Sequence, residues 1–264
     1  MIETAKQHPS TPSPSKLMIV LMNLWAYPFL LILMVTSVTA FLFGWVFNRL
    51  FLKWNDDKYT RWAIWAYGRV WLLFMSPFVH FECQHGELLK RDKPYLFVIN
   101  HLSFFDTFCM ALLPVYNIAF AVRSWPFRML WYRKFMFMAR YLDVESGSWE
   151  DNLASSKQTF AANGTVLFYP EGHRSRDGRL QRFYSGGFKI AVIAGVSVVP
   201  LCIVGTDQLL PPGRKWMHPC RVKLRVLAPI DTAPFTGKGG HMQLRKLVKG
   251  QIEKNIAEMR KEAK

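Results

Sequence analysis

Acidic and basic residues gather at two points of the chain, and each point follows a short apolar run. His101 and Asp106 come just after the run Tyr95–Ile99, and Glu171 and Arg174 come after a second run about 65 residues later. Each run is typical of a buried strand. Polar side chains at the ends of neighbouring strands are where α/β folds place their active sites, so the two clusters predict one site.

The first cluster has the residue types that general base catalysis needs. If the carboxylate of Asp106 binds one ring nitrogen of His101, the other nitrogen is left as an acceptor that can take a proton from a hydroxyl. Ser103 lies between them, but the chain has no G-x-S-x-G motif around a nucleophile. Cys109 fits a packing role better than a nucleophilic one. The pattern therefore predicts a His/Asp dyad that activates a substrate hydroxyl directly, without an acyl-enzyme.

Both clusters would also fit a purely structural role. Asp106 stands three residues after Ser103, a pattern like a capping box, so its carboxylate could serve only the start of a helix. The second cluster could be a polar turn, with Gly172 supplying the backbone freedom. A helix cap would account for Asp106 but not for His101, because the start of a helix does not need a histidine.

Composition narrows the class of protein. The 264 residues suffice for one domain plus an appendage, and 51% of them are hydrophobic, which excludes a disordered chain. The net charge of +16 fits nucleic acid, an anionic membrane or an anionic substrate. The four cysteines form no C-x-x-C pair, which indicates free thiols in a reducing compartment.

Of these partners, the N-terminal region favours the membrane. We expect residues 1–16 to form a mobile tail and residues 17–58 to form a membrane anchor. No charged side chain occurs from Leu17 to Asn48, and such a helix would be about 48 Å long, more than the roughly 30 Å of a bilayer core. The run therefore predicts either a single tilted span or a helical hairpin, in which Pro28 could break or kink the helix.

A cleaved signal peptide or a buried core helix would also give an apolar run near the N-terminus. Cations are slightly more frequent after the run than before it, which predicts that the catalytic domain lies on the cytoplasmic face. The segment Tyr59–Phe78 interleaves tryptophans with Arg61 and Arg69. It is typical either of a helix at the membrane surface with its cations outward or of a helix packed into the core.

Residues 59–264 are predicted to form the catalytic domain. Short apolar runs alternate there with helical patterns, which predicts an α/β layered domain with a largely parallel sheet flanked by helices. The predicted strands are Tyr95–Asn100, Ile118–Arg123, Arg140–Val144, Thr165–Tyr169, Ser197–Val204 and Arg221–Leu227. The predicted helices are Ser103–Leu113, Trp125–Met138, Trp149–Ala162, Gly187–Ala194 and His241–Lys261.

The two clusters resemble the sequence blocks of a known family. Asn100, His101 and Asp106 match the N-H-x-x-x-x-D block of the membrane-bound glycerolipid acyltransferases, the 1-acylglycerol-3-phosphate acyltransferase family. Residues 168–175 are similar to its F-P-E-G-x-R-S block, and residues 195–200 to a later block in which Pro200 would shape the acyl-donor side. The resemblance extends over about residues 62–230.

The resemblance implies roles for individual residues. His101 would be the general base and Asp106 its orienting partner, with backbone N–H groups at the start of the Ser103 helix stabilising an oxyanion. The second block would bind the acyl acceptor. Its residues are Glu171, Gly172, Arg174 and Ser175, of which Glu171 would hold the glycerol and Arg174 its phosphate.

The chain departs from the family pattern at two places. Residues 141–146 contain Asp143 and Glu145 where the family has an arginine, and Arg123 would compensate as a further substrate-binding residue. His173 stands where the family most often has threonine. These departures keep open an acceptor other than lysophosphatidic acid.

The resemblance implies transfer of a fatty acyl group from an acyl-CoA or acyl carrier protein thioester to the free hydroxyl of a lysoglycerolipid. The foremost acceptor is 1-acylglycerol-3-phosphate, which would give phosphatidic acid; another lysolipid is the alternative. The expected partners are membrane lipids and these two substrates, with no nucleic acid, no cofactor and no metal.

Three further classes of protein share some of these features. A metal hydrolase could use His101, Asp106, Glu171 and His173, but the chain has no H-E-x-x-H or comparable spacing. A nucleic-acid-binding module would account for the charge and the aromatic residues, but not for the uncharged N-terminal run. An inactive membrane scaffold would not need both His101 and Asp106.

Overall fold

The structure, a computed structural model, describes residues 14–91, 93–210 and 213–262. The helices are α1 Lys16–Phe47, α2 Asp56–Met75, α3 Asp106–Cys109, α4 Leu130–Met138, α5 Trp149–Ala161, α6 Gly186–Ala194, α7 Thr206–Leu209 and α8 Gly240–Glu262. The strands are β1 Val79–Gln84, β2 Leu96–Ile99, β3 Ile118–Val122, β4 Leu142–Asp143, β5 Thr165–Phe168, β6 Val198–Val204 and β7 Cys220–Val226. Most of the predicted mobile tail, residues 1–13, lies outside the described residues.

The strands form one seven-stranded sheet in the order β1-β7-β6-β2-β5-β3-β4. Strands β2 to β6 run parallel, and β7 lies antiparallel to β6 and carries β1 parallel to itself. The predicted layered fold with a largely parallel sheet is confirmed. All six predicted strands are present; β1 was missed because its alternating residues are few and directly follow a long helix.

The sheet separates two cores. In β2, Phe97 and Ile99 pack on one face with the buried residues of α1 and α2, while Leu96 and Val98 pack on the other face with those of α6 and α8. This division follows from the alternation of side chains along a strand. The helix pair α1–α2 and the C-terminal helix α8 therefore cover opposite faces of the sheet.

Helices α1 and α2 form an antiparallel hairpin. Helix α1 continues through Pro28 without a break and ends in a π-helical turn, Asn48–Leu52, before the chain reverses at residues 53–55. The aromatic ring of Trp25 stacks on Phe74 at the open end, and the hydroxyl of Tyr59 donates to the carbonyl of Phe41 near the turn. Helix α1 therefore does not break at Pro28, a point that the sequence left open, and the predicted boundary at residue 58 falls inside α2.

The hairpin is attached to the rest of the domain by buried polar contacts. Asn23 is 4% exposed, and its side chain donates to the carbonyl of Met217 at 2.8 Å and accepts from the N–H of Met217 at 2.9 Å. On α2, Arg61 is 2% exposed and donates to the carbonyl of Ala139 at 2.8 Å. Of the two alternatives for this helix, Arg61 fits the one in which the helix packs into the core, because its charge is bonded inside the domain.

Two predicted helices are interrupted. The helix predicted over Ser103–Leu113 begins only at Asp106, since residues 100–103 have no regular secondary structure and lead into a turn. The helix predicted over Trp125–Met138 is divided into a 3₁₀ turn, Trp125–Arg128, and α4, with Met129 extended between them (ψ 121°). Pro126 lies in the first turn, where the missing N–H costs no helical bond.

Candidate active site

Both sequence clusters lie at the same edge of the sheet. Strands β2 and β5 are parallel neighbours in which Val98 pairs with Phe168, so the segments that follow them begin side by side. Asn100 connects this edge to β6, because its buried side chain donates to the carbonyl of Ile203 at 2.9 Å and accepts from its N–H at 2.8 Å. The segment that carries the catalytic candidates is therefore fixed to strands on both sides.

His101 and Asp106 are in direct contact. The Nδ1 of His101 is 2.7 Å from Oδ2 of Asp106. Because a carboxylate accepts and does not donate, Nδ1 carries the proton and Nε2 is left with its lone pair. The His101 side chain is 18% exposed and that of Asp106 is 0% exposed, so the histidine reaches the surface and the acid lies behind it.

Asp106 is held by three further hydrogen bonds. Its Oδ2 accepts the backbone N–H of Leu102 at 2.7 Å and that of Ser103 at 2.9 Å, and its Oδ1 accepts the hydroxyl of Thr206 at 2.5 Å. One side chain thus caps the turn and orients the histidine. The N–H groups of Leu102 and Ser103 are occupied, so the oxyanion site expected at this helix start is not available from them.

Glu171 supports the backbone of His101. Its side chain is buried, its Oε1 accepts the N–H of His101 at 2.8 Å, and its Oε2 accepts the N–H of Gln181 at 2.8 Å. Burial raises the pKa of Glu171, and the two N–H donors, together with the nearby His101 ring, oppose that shift. In this arrangement the carboxylate joins two backbone segments, rather than presenting a free oxygen to a ligand.

Gly172 and Ser175 shape the turn around Glu171. Gly172 has φ +73°, and a Cβ there would lie 3.0 Å from the ring of Tyr184, so only glycine fits without strain. Ser175 is 3% exposed; its N–H donates to the carbonyl of His101 at 2.8 Å and its hydroxyl to the carbonyl of Arg179 at 2.8 Å. Ser175 thus holds the segment of His101 to this turn, and Gly172 lets the turn pass close to Tyr184.

The predicted cations differ in their surroundings. Arg174 is exposed and makes no hydrogen bond or salt bridge with any residue that the structure describes. Arg123 instead forms an ion pair with Glu145, which lowers the pKa of that carboxyl. Asp143 accepts hydrogen bonds from the N–H groups of Glu145 and Ser146 at 3.0 and 2.9 Å. The acidic departures from the family pattern thus build a turn and neutralise Arg123.

Comparisons with known proteins match the part of the chain that carries this site. A family model described as Acyltransferase matches residues 80–204, which include both clusters. A chloroplastic 1-acyl-sn-glycerol-3-phosphate acyltransferase of Brassica napus is 29% identical over 186 residues, covering 69% of this chain and 52% of that protein. Over these residues the chain is similar to the acyltransferase family.

Further relatives show how far the likeness extends. The 1-acyl-sn-glycerol-3-phosphate acyltransferase of Escherichia coli is 34% identical over 98 residues, 37% of this chain and 39% of that protein. The chain spans about half the length of the chloroplastic relatives it matches. The crystal structure of the 1-acyl-sn-glycerophosphate acyltransferase PlsC from Thermotoga maritima has the same fold, with a TM-score of 0.76, 23% identity and coverage of 93% and 97% of the two chains.

Two residues of this candidate site were not predicted from the sequence. The ring of Tyr169, which stands at the phenylalanine of the family's F-P-E-G block, lies against the His101 ring with the centroids 4.1 Å apart. Thr206 reaches Asp106 from the end of β6, 100 positions along the chain. The block itself marks Tyr169 as a ring next to the site, but nothing in the sequence around Thr206 indicates its role.

The remaining site predictions concern cysteines and metals. Cys109 is fully buried, and burial raises the pKa of its thiol well above the usual value, which agrees with a packing role. All four cysteines are free. Among the residues that the structure describes, no three His, Cys, Asp or Glu side chains are grouped as metal ligands would be.

Proposed function

We propose that this protein transfers an acyl group from a thioester to the free hydroxyl of a lysoglycerolipid, with lysophosphatidic acid as the acceptor. The observation that carries the proposal is the bond between His101 Nδ1 and Asp106 Oδ2, which directs Nε2 of a partly exposed ring outward. The relatives named as 1-acyl-sn-glycerol-3-phosphate acyltransferases support the choice of acceptor.

The proposed step needs one base and no cofactor. The acceptor hydroxyl attacks the thioester carbonyl carbon while Nε2 of His101 takes the hydroxyl proton. The resulting imidazolium is stabilised by the carboxylate of Asp106. The C–S bond then breaks, the ester forms, and the departing thiolate takes the proton from His101. Atoms and charge balance without a serine or cysteine intermediate.

Arg174 is the proposed ligand of the acceptor's phosphate. It belongs to the segment that surrounds Glu171, it is exposed, and no described residue pairs with its guanidinium. A guanidinium binds phosphate oxygens through two parallel hydrogen bonds. Arg123 is a weaker candidate because a phosphate would first have to displace Glu145.

The Arg174→Ala variant tests this assignment. We expect the KM for lysophosphatidic acid to rise about tenfold or more, as loss of a charged hydrogen bond worth roughly 1.5–3 kcal/mol would cause, while the KM for monoacylglycerol changes little. Arg176→Ala, an exposed arginine two residues away, is the matched control. Equal effects on the charged and the neutral acceptor would show that Arg174 does not bind phosphate.

We also propose that the α1–α2 hairpin attaches the protein to the membrane, with the catalytic domain on the cytoplasmic side. The stretch Lys16–Leu52, 37 residues, is long and apolar enough to cross a bilayer. Its surface side chains are mostly large and hydrophobic, among them Leu17, Leu24, Leu31, Ile32, Val35, Leu42, Phe43, Leu50 and Phe51. Because Met22, Ala26 and Leu33 pack into the domain core, the helix lies along the domain rather than standing apart from it.

The proposed attachment predicts a salt-resistant association. Contacts between apolar side chains and lipid tails are not screened by ions, whereas contacts between lysines and anionic headgroups are. Flotation with neutral phosphatidylcholine vesicles should therefore retain the protein at 1 M NaCl, a salt level at which the Debye length is about 3 Å. Release of the protein by salt would indicate that charge alone holds it at the membrane.

A further inference from the structure

A concave surface that does not include His101 lies beside α8. It is a cleft of about 550 Å³ between the loop that follows Gln181 and the N-terminal half of α8. Five of its lining residues are cations, Arg182, Lys238, Arg245, Lys246 and Lys249. We call this surface the basic cleft. No acidic residue lines it, and none of its five cations forms a salt bridge with a carboxylate in the described part of the chain.

The cations follow from the pattern of α8. Leu244 and Val248 are buried against the sheet, and Met242, Arg245, Lys246 and Lys249 form the adjacent stripe at helical spacing. The nearest acid on the helix, Glu253, comes one turn after Lys249 and does not line the cleft. The stripe therefore presents several positive charges in one direction, which attracts an anionic partner.

Apolar side chains are exposed among these charges. Met242 is 50% exposed and Leu247 is 43% exposed, and Leu247 lines a neighbouring depression that continues along α8 to Lys254. Exposed methionine and leucine beside a basic rim are typical of a surface that docks a protein.

The basic cleft and the hairpin lie on opposite sides of the sheet, so the cleft would not contact the lipid surface that the hairpin would contact. The buried residues of α8 belong to the core on one sheet face, and those of α1 and α2 belong to the core on the other face. If the hairpin attaches the protein to the membrane, the basic cleft faces away from it. An anionic partner at this surface comes from solution.

The basic cleft is also close to the catalytic segment. Gln181, directly before Arg182, and His101 each donate a backbone hydrogen bond of 2.8 Å to the same Glu171 carboxylate. The Cα of Arg182 therefore lies within about 15 Å of the His101 backbone nitrogen, given the usual backbone dimensions. A partner docked there could deliver a flexible arm to His101.

We propose that the basic cleft docks an acidic acyl carrier protein, which delivers the acyl thioester to His101. This inference rests on the proposed acyl transfer and specifies its donor. Charge complementarity between the five cations and an acidic helix of the carrier would steer the encounter and fix its orientation. An acyl-CoA donor needs no such surface, so the two donors should respond differently to changes in the cleft.

The test compares the two donors in the full-length protein. The variant Lys246→Gln/Lys249→Gln removes two cleft charges, and Lys90→Gln/Lys157→Gln removes two exposed charges elsewhere as the matched control. With the same acyl chain and lysophosphatidic acid, we expect the cleft variant to raise the KM for the carrier-protein donor about tenfold, an effect of charge complementarity that salt suppresses. The KM for acyl-CoA and both kcat values should stay within about twofold, as expected for changes confined to docking.

Several outcomes would overturn the inference. An equal rise in KM for acyl-CoA would assign the cleft to phosphate groups that both donors carry, and an equal effect of the control variant would mean that only net charge matters. Unchanged KM values with weakened binding to anionic vesicles would assign the cleft to a lipid surface. If the wild-type protein uses neither donor, the proposed function fails instead, and direct binding of the acyl carrier protein, measured by fluorescence anisotropy, still decides whether the cleft docks it.

Discussion

The His101→Ala variant is expected to transfer acyl groups about 10²–10⁴ times more slowly than the wild type, the usual contribution of a positioned general base. The loss should appear in kcat, because the ring takes a proton in the reaction step and is not needed to hold either substrate. The side chain is partly exposed and bonded chiefly to Asp106, so the thermal midpoint should change little. Transfer at the wild-type rate would show that another group is the base.

The Asp106→Asn variant separates charge from geometry at the same site. An asparagine oxygen in place of Oδ2 can still accept from Leu102, Ser103 and the His101 ring, and its amide can face Thr206. The ring stays oriented, but the imidazolium that forms during transfer loses its counter-charge. We expect kcat to fall about 10²-fold or more. An unchanged kcat would mean that Asp106 serves only to fix the loop.

Glu171→Gln should also reduce turnover, by acting on the position of His101. Both carboxylate oxygens accept backbone N–H groups, and an amide must place its own NH₂ against one of these donors. An unsatisfied buried donor costs about 1–3 kcal/mol, which the backbone can relieve by moving His101. We expect kcat to fall about tenfold, a rate change equivalent to about 1.4 kcal/mol, with the acceptor KM nearly unchanged.

A higher acceptor KM with an unchanged kcat would contradict this role of Glu171. If Glu171 binds the glycerol of the acceptor, as the family resemblance implies, the variant should raise the KM for the acceptor and leave kcat close to that of the wild type. Asp177→Asn is the matched control, because Asp177 accepts bonds from Ser175, Arg179 and Gln181 in the same loop and makes no bond with His101. It should leave both constants within about twofold.

The sequence predicted the parts of the fold that depend on local patterns. Strands β2, β5 and β6 are runs of apolar residues bounded by polar or turn residues, and their positions follow from that pattern alone. Strand β1, Val79–Gln84, was missed because it directly follows a long helix and its apolar residues alternate with His80, Glu82 and Gln84. It therefore has no apolar run like those that mark β2, β5 and β6.

The site shows the same division. His101 and Asp106 could be predicted as partners because they are only five positions apart, so their spacing in one short motif indicates the contact. Thr206 could not be found, because its bond to Asp106 depends on how β6 is placed beside β2. The position of Glu171 in its block was predictable, but its two backbone partners depend on the turn at Gly172 and on the return of the chain at Gln181.

In the hairpin, composition predicts the long apolar helix α1 but not its continuation through Pro28. The absence of charge from Leu17 to Asn48 predicted a long apolar helix, and α1 is that helix. Pro28 suggested a break, yet a helix can continue through a proline at the loss of one backbone bond. Here Met22 and Ala26 before the proline and Leu33 after it pack into the same core, which holds both sides of the proline to one domain.

The release of free thiol from an acyl thioester, followed with and without lysophosphatidic acid, tests the central claim most directly. Direct attack by the acceptor hydroxyl predicts that thiol release begins only when lysophosphatidic acid is added, and that each thiol released is matched by one phosphatidic acid. Thiol release at the same rate without acceptor, with the acyl group recovered as free fatty acid, would show that His101 activates water and that the protein is a thioester hydrolase.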